Sequence, residues 1–93
     1  MADPDVRVIS FVRGSDADQR DGLVGYLRVA YGSIEVDGIT LRFTEDGRYA
    51  LSFPARTDRS GKKHAIVRPV DAAAREAIET ELLRQLHGSL HFV

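Results

Sequence analysis

Residues 39–53 read ITLRFTEDGRYALSF, and this stretch decides the fold. Ile39, Leu41 and Phe43 alternate with Thr40, Arg42 and Thr44, and beyond Asp46-Gly47 the residues Tyr49, Leu51 and Phe53 resume the alternation. A period of two sends successive side chains to opposite faces, so each run is a strand with one face buried. Asp-Gly between two such runs predicts a hairpin whose two turn residues both take positive φ. Pro54 has no N–H for a sheet ladder and ends the second strand.

Towards the amino terminus, Leu23, Leu27, Val29 and Tyr31 fall on one side of a further strand, with Gly25 between them and Arg28 on the other side. Gly32-Ser33 makes a turn, and Ile34 and Val36 lead into Asp37-Gly38, where either a bulge or a second tight turn accounts for the glycine. The polar stretch between Gly14 and Gly22 predicts a loop. Val6 to Val12 is β-branched or aromatic on both alternating faces, which predicts a strand covered on both.

Towards the carboxyl terminus, His64 to Arg68 predicts a short strand before Pro69. Asp71 is a candidate helix N-cap, because its carboxylate can accept from the free amides of the first turn. Ala74, Ile78, Leu82, Leu83 and Leu86 recur at spacings of three and four, giving a helix over about residues 72–87 with Arg75 and Glu79 paired on its wetter side. Gly88 is placed to end it. Residues 88–93 form a partly apolar tail, either frayed or added to a neighbouring edge. The order of elements predicts one domain over 1–93 of the α+β class, a mostly antiparallel sheet of about five strands with one C-terminal helix packed on it.

At 93 residues, 43% apolar and 29% charged, the chain has the composition of a soluble globular domain with a thin core. It contains no cysteine, which excludes disulfides, thiolate catalysis and cysteine zinc sites. The start MADPDVRVIS lacks the features of a secretory signal, and no run approaches the ~20 apolar residues of a membrane span, so cytoplasmic residence away from membranes is expected.

The charge is unevenly placed. The run FPARTDRSGKKHAIVRPV, residues 53–70, holds Arg56, Arg59, Lys62, Lys63 and Arg68 against the single acid Asp58. That is +4 in a chain of net charge −1, leaving −5 on the remainder. A local cationic cluster creates a field that the whole-chain charge conceals, and a polyanion is its natural partner. The arginines can hold phosphates in a fork, and the lysines act as mobile point charges. Tyr26, Tyr31 and Tyr49 can offer stacking platforms if exposed, although alternation favours the core for Tyr31 and Tyr49. The bland alternative is a solvated turn whose charges serve solubility.

Catalytic and metal readings find less support. Ser60-Gly61-Lys62 matches only the end of a phosphate-binding P-loop, because Arg56 stands where that motif has glycine and Lys63 where it has serine or threonine. Ser52 and Ser60 lie near His64 without the surroundings of a nucleophile elbow. Glu76, Glu79 and Glu81 are interspersed with Arg75 and Arg84 and predict a solvated helix face. His87 and His91 are four apart, but Gly88 interrupts them. A non-enzymatic protein without metal or other cofactor is expected.

The succession Phe53-Pro54, Arg56-Thr57, Gly61, Ile66 and Pro69-Val70 before a helix resembles the SpoVG (stage V sporulation protein G) family of septation regulators. The spacing between the two prolines is the family's, and the resemblance extends from about Ile34 to Leu86, with Asp5-Val6-Arg7 similar to the family's opening strand. It implies a small α+β fold, a homodimer, and regulatory binding of DNA and RNA. The first of the family's two adjacent basic residues corresponds to Arg56. Thr57 stands in place of the second, Arg68 in place of a histidine, and Ala65 in place of an aspartate. The expected function is that of a dimeric nucleic-acid-binding regulator contacting phosphates through Arg56, Arg59, Lys62, Lys63 and Arg68. The alternative is a protein-interaction module using a sheet edge or the tail Leu90, Phe92 and Val93.

Overall fold

The computed structural model describes residues 5–87. The expected helix stop at Gly88, the tail and His91 lie outside them. The order is β1 (Val6–Arg13), α1 (Asp16–Arg20), β2 (Leu23–Tyr31), β3 (Ile34–Phe43), β4 (Tyr49–Ser52), β5 (Ala55–Thr57), β6 (Lys63–Ala65) and α2 (Ala72–Leu86). The α+β class holds. β1 to β4 form one antiparallel sheet in sequence order, and β5 and β6 form a separate two-stranded ribbon.

One face of the four-stranded sheet carries Leu27, Val29, Ile39, Leu41 and Leu51, which pack with Ile78, Leu82 and Leu86 of α2. Those three helix residues are four apart, so they form a single stripe along α2. Leu27, Ile39, Leu41 and Leu82 are the largest fully buried side chains. Each contributes about 1.5–3 kcal/mol by burial. The helix begins as the sequence predicts, with the Asp71 carboxylate accepting from Ala74 N–H at 2.8 Å.

Several local readings change. The polar stretch after Gly14 contains a one-turn helix, α1, closed by a reciprocal capping box in which Ser15 Oγ accepts from Asp18 N–H at 3.1 Å and Asp18 accepts from Ser15 N–H at 3.0 Å. β1 is covered on one face only: Ile9 is 41% and Val12 61% exposed. Asp37-Gly38 is a bulge in a continuous β3, because Leu27 pairs with Ile39 and Val29 with Val36. A second bulge at Val24 turns Val24 into the core cluster and leaves Leu23 opposite Arg42. Tyr31 is 47% exposed, not core, although it pairs with buried Val6 on one side; on the other it pairs with exposed Ile34.

The hairpin of residues 39–53 pairs as the alternation predicts, Leu41 with Leu51 and Phe43 with Tyr49, but its turn differs. No non-glycine residue has positive φ, so Asp46 does not adopt the predicted geometry. Thr44 N–H donates to Arg48 C=O at 2.7 Å and Gly47 N–H donates to Thr44 C=O at 3.0 Å. Only Gly47, at φ 84°, is left-handed. This is a three-residue loop in which an ordinary turn is followed by a glycine bulge. The Thr44 hydroxyl stabilises that longer loop by accepting from Arg48 N–H at 3.0 Å and bonding the Asp46 carboxylate.

Candidate nucleic-acid interface

The basic run is an ordered ribbon. Ala55 pairs with Ala65, Arg56 with His64 and Thr57 with Lys63, so the predicted strand His64 to Arg68 is shifted back to Lys63–Ala65. The shift follows from Pro54, whose carbonyl accepts from both Ile66 N–H, at 3.0 Å, and Val67 N–H, at 3.3 Å, and so bends the chain out of the ladder after Ala65.

The ribbon's turn repeats the one at the end of β3. Asp58 N–H donates to Lys62 C=O at 2.9 Å, Gly61 N–H donates to Asp58 C=O at 3.0 Å, and Gly61 takes φ 88°. The segments TEDGR and DRSGK thus share one design: an oxygen-bearing side chain first, glycine fourth and a cation fifth.

Asp58 organises this turn. Its Oδ1 accepts from Ser60 N–H at 2.9 Å, Ser60 Oγ at 2.6 Å and Lys62 N–H at 3.0 Å. Its Oδ2 lies 2.7 Å from His64 Nε2. Hydrogen bonds from the Ser60 side chain, the His64 ring and the Lys62 backbone hold its carboxyl down at about 2. The one acid in the run therefore spends its acceptor capacity on the loop's own donors and stays ionised throughout the physiological range.

The cations are left facing water. Arg56, Arg59, Lys62, Lys63 and Arg68 are all exposed, and among the described residues none of them forms an ion pair. They do not converge on one surface. Arg56 shares a ribbon face with His64, Lys63 shares the opposite face with Thr57, and Arg59 and Lys62 sit at the tip. Arg68 stands apart, beyond the ribbon, at the rim of an apolar groove of about 310 Å³.

That groove was not anticipated from the sequence. Its walls include Tyr31, Ile34, Phe53, Val67, Pro69 and Val70. Ile34 is 67% and Val70 89% exposed, so the floor of the groove continues into an open apolar rim. The signal was available in Ile66-Val67 and Val70, apolar residues flanking a proline where neither strand nor helix buries them. The expected solvated acidic face of α2 is also corrected: Glu79 reaches β4, and Glu81 is held by Arg84 and by Gln85 Nε2, so both carboxylates are engaged.

Among the described residues no helix is long and apolar enough to cross a membrane. Comparison of the chain with protein-family models, curated proteins and solved structures found no match.

Proposed function

We propose that this protein is a small regulatory protein that binds DNA or RNA through the β5–β6 ribbon, acting by binding and not by catalysis. The observation that carries the reading is the exposure of the ribbon's cations. The Asp58 carboxylate keeps its charge but is turned onto the Ser60 and Lys62 N–H groups, the Ser60 hydroxyl and the His64 ring, and among the described residues Arg56, Arg59, Lys62 and Lys63 are held in no ion pair. A ribbon with cations on both faces and at its tip suits a nucleic-acid groove, since a two-stranded β-ribbon fits the major groove and meets phosphates on either side. The resemblance to the septation regulators supports the same reading, with Arg56 at the matching position.

The same resemblance implies a homodimer, and we assign its interface to the apolar groove around Tyr31, Ile34, Val67 and Val70. A monomer of this size gains by covering such a surface. Dimerisation would present two ribbons to one ligand. If each subunit neutralises about 3–5 phosphates, affinity for duplex falls with salt by a log–log slope of roughly −0.9 per contact.

Fluorescence anisotropy with labelled duplex DNA, single-stranded DNA and RNA at two salt concentrations tests the reading. Salt-dependent binding that is weakened in Arg56→Ala/Arg59→Ala supports it. Salt-independent binding, or none, overturns it. In the latter case the exposed groove favours the second reading, a protein-interaction module that docks a partner's apolar segment beside Arg68.

A further inference from the structure

On the sheet face turned away from α2, one row of side chains crosses all four strands. Val12 pairs with Tyr26, Tyr26 with Thr40, and Thr40 with Ser52. The adjoining pairs Leu27–Ile39 and Leu41–Leu51 lie in the core with α2, which fixes this row on the opposite side. At its centre Tyr26 is 43% exposed and Val12 beside it is 61% exposed. Two residues further along their strands stand Arg28 and Arg42, and Arg7, opposite Ala30, shares the face.

Arg28 is 3.0 Å from the Glu35 carboxylate, while Arg7 and Arg42 are exposed and without an ion pair among the described residues. A depression of about 190 Å³ beside the Tyr26 ring is rimmed by Ser10, Arg28 and Asp37. An exposed ring on an open sheet, with flanking arginines and a rim of hydrogen-bonding groups, suits an unpaired base. With such a base in place the ring would stack on it, the arginines would meet phosphates, and the Asp37 carboxylate, whose Oδ1 accepts from Gly38 N–H at 2.8 Å, would offer its other oxygen to an exocyclic amine. A duplex keeps its bases stacked on one another and cannot use such a surface.

We infer that the outer sheet face is a stacking platform for single-stranded nucleic acid, with Tyr26 carrying a base and Arg7 and Arg42 the strand. The inference rests on the proposal that the protein binds nucleic acid and adds a second surface, specific for an unpaired strand.

The test compares a 12-nucleotide single strand of mixed sequence with its duplex, using wild type, Tyr26→Ala, Tyr26→Phe and Arg56→Ala/Arg59→Ala. Tyr26→Ala weakens single-strand binding by about tenfold or more and leaves duplex binding within about twofold. Tyr26→Phe keeps the single-strand affinity. The arginine variant loses affinity for both forms with a shallower salt slope, a slope that Tyr26→Ala retains.

Loss in the arginine variant with none in Tyr26→Ala overturns the platform and leaves the ribbon reading standing. Loss in Tyr26→Ala with none in the arginine variant overturns the ribbon reading alone. Because the chain has no tryptophan, Tyr26→Trp supplies a second readout that tolerates a change in stability. Its emission is quenched by the single strand and not by the duplex. Emission unmoved by the single strand, or moved by protein concentration alone, overturns the inference.

Discussion

Gln85 is bonded to the Val8 edge of the sheet as a neighbouring strand would be. Its Oε1 accepts from Val8 N–H at 2.7 Å, and its Nε2 donates to Val6 C=O at 2.8 Å, so one side-chain amide satisfies two outward-facing backbone groups of β1. The far edge is treated likewise. Leu51 N–H on β4 donates to Glu79 Oε2 at 2.9 Å, and Leu51 C=O accepts from Arg75 at 3.0 Å. α2 thus covers the core and also occupies both edges of the four-stranded sheet, where free backbone groups invite pairing with other chains.

Removing this clamp leaves two part-buried backbone groups without partners. Gln85→Ala costs about 1–3 kcal/mol and increases self-association during heating. Urea unfolding followed by circular dichroism measures the first effect and light scattering the second. A change below about 0.5 kcal/mol would show that water replaces the amide without penalty.

Gly25 answers a different constraint. A Cβ there would lie 2.5 Å from the Val12 carbonyl oxygen and 2.6 Å from the Phe11 ring, so the side chain of β1 crosses β2 where β2 has none. Gly25→Ala costs about 1–3 kcal/mol by overpacking. Phe11→Leu in the same chain recovers the part due to the ring and not the part due to the carbonyl. A double-mutant cycle by thermal or chemical unfolding tests this; strict additivity of the two changes would show that the ring yields freely.

The hairpin at residues 39–53, the N-cap at Asp71 and the apolar stripe of α2 were legible because each is written in nearest-neighbour spacing. What escaped depended on tertiary relations or on a competing local pattern. The pair Arg75–Glu79 reads as a surface ion pair until β4 is brought beside it. Tyr31 alternates with core residues, yet it is 47% exposed beside a buried partner, Val6, which the spacing along one strand does not reveal. α1 was hidden by its composition, although Ser15 and Asp18 carry the capping-box spacing. The basic run was legible as charge and not as geometry, because only the folded ribbon turns the Asp58 carboxylate onto Ser60, Lys62 N–H and His64 and leaves the cations on separate faces.

Acid stability follows from the lowered carboxyls. Asp58 is held at about 2, and Asp46 and Glu81 are lowered by hydrogen bonds from Thr44 and Arg48 and from Arg84 and Gln85. A depressed carboxyl stabilises the fold above its unfolded pKa, near 3.8 for Asp58, and that contribution is lost as pH falls through the folded value. Melting temperature is therefore flat in these groups from neutrality to about pH 5 and declines below pH 4. In Asp46→Asn, at the β3–β4 turn, the decline is shallower, whereas Asp58→Asn, in a ribbon whose extensive contacts are between its own strands, leaves it unchanged. An identical decline in wild type and Asp46→Asn, measured between pH 5 and pH 2, would show that the Asp46 network does not form in solution.

The twin turns separate stability from binding. Gly47 and Gly61 have φ of 84° and 88° with open space where a Cβ would lie, so alanine at either position meets the same backbone strain, about 1 kcal/mol or more, and no steric clash. Their settings differ. Gly47 joins β3 to β4, whose Leu41–Leu51 pair is in the core, whereas Gly61 closes a ribbon whose extensive contacts are between its own two strands. Gly47→Ala therefore lowers global stability by about that amount and leaves nucleic-acid affinity unchanged. Gly61→Ala leaves global unfolding within about 0.5 kcal/mol and weakens binding severalfold, because Arg59 and Lys62 lose the tip geometry that Asp58 and Gly61 impose. Paired urea titrations and anisotropy measurements decide it. If Gly61→Ala lowers global stability as much as Gly47→Ala does, the ribbon is part of the cooperative core and its cations are positioned by the whole fold.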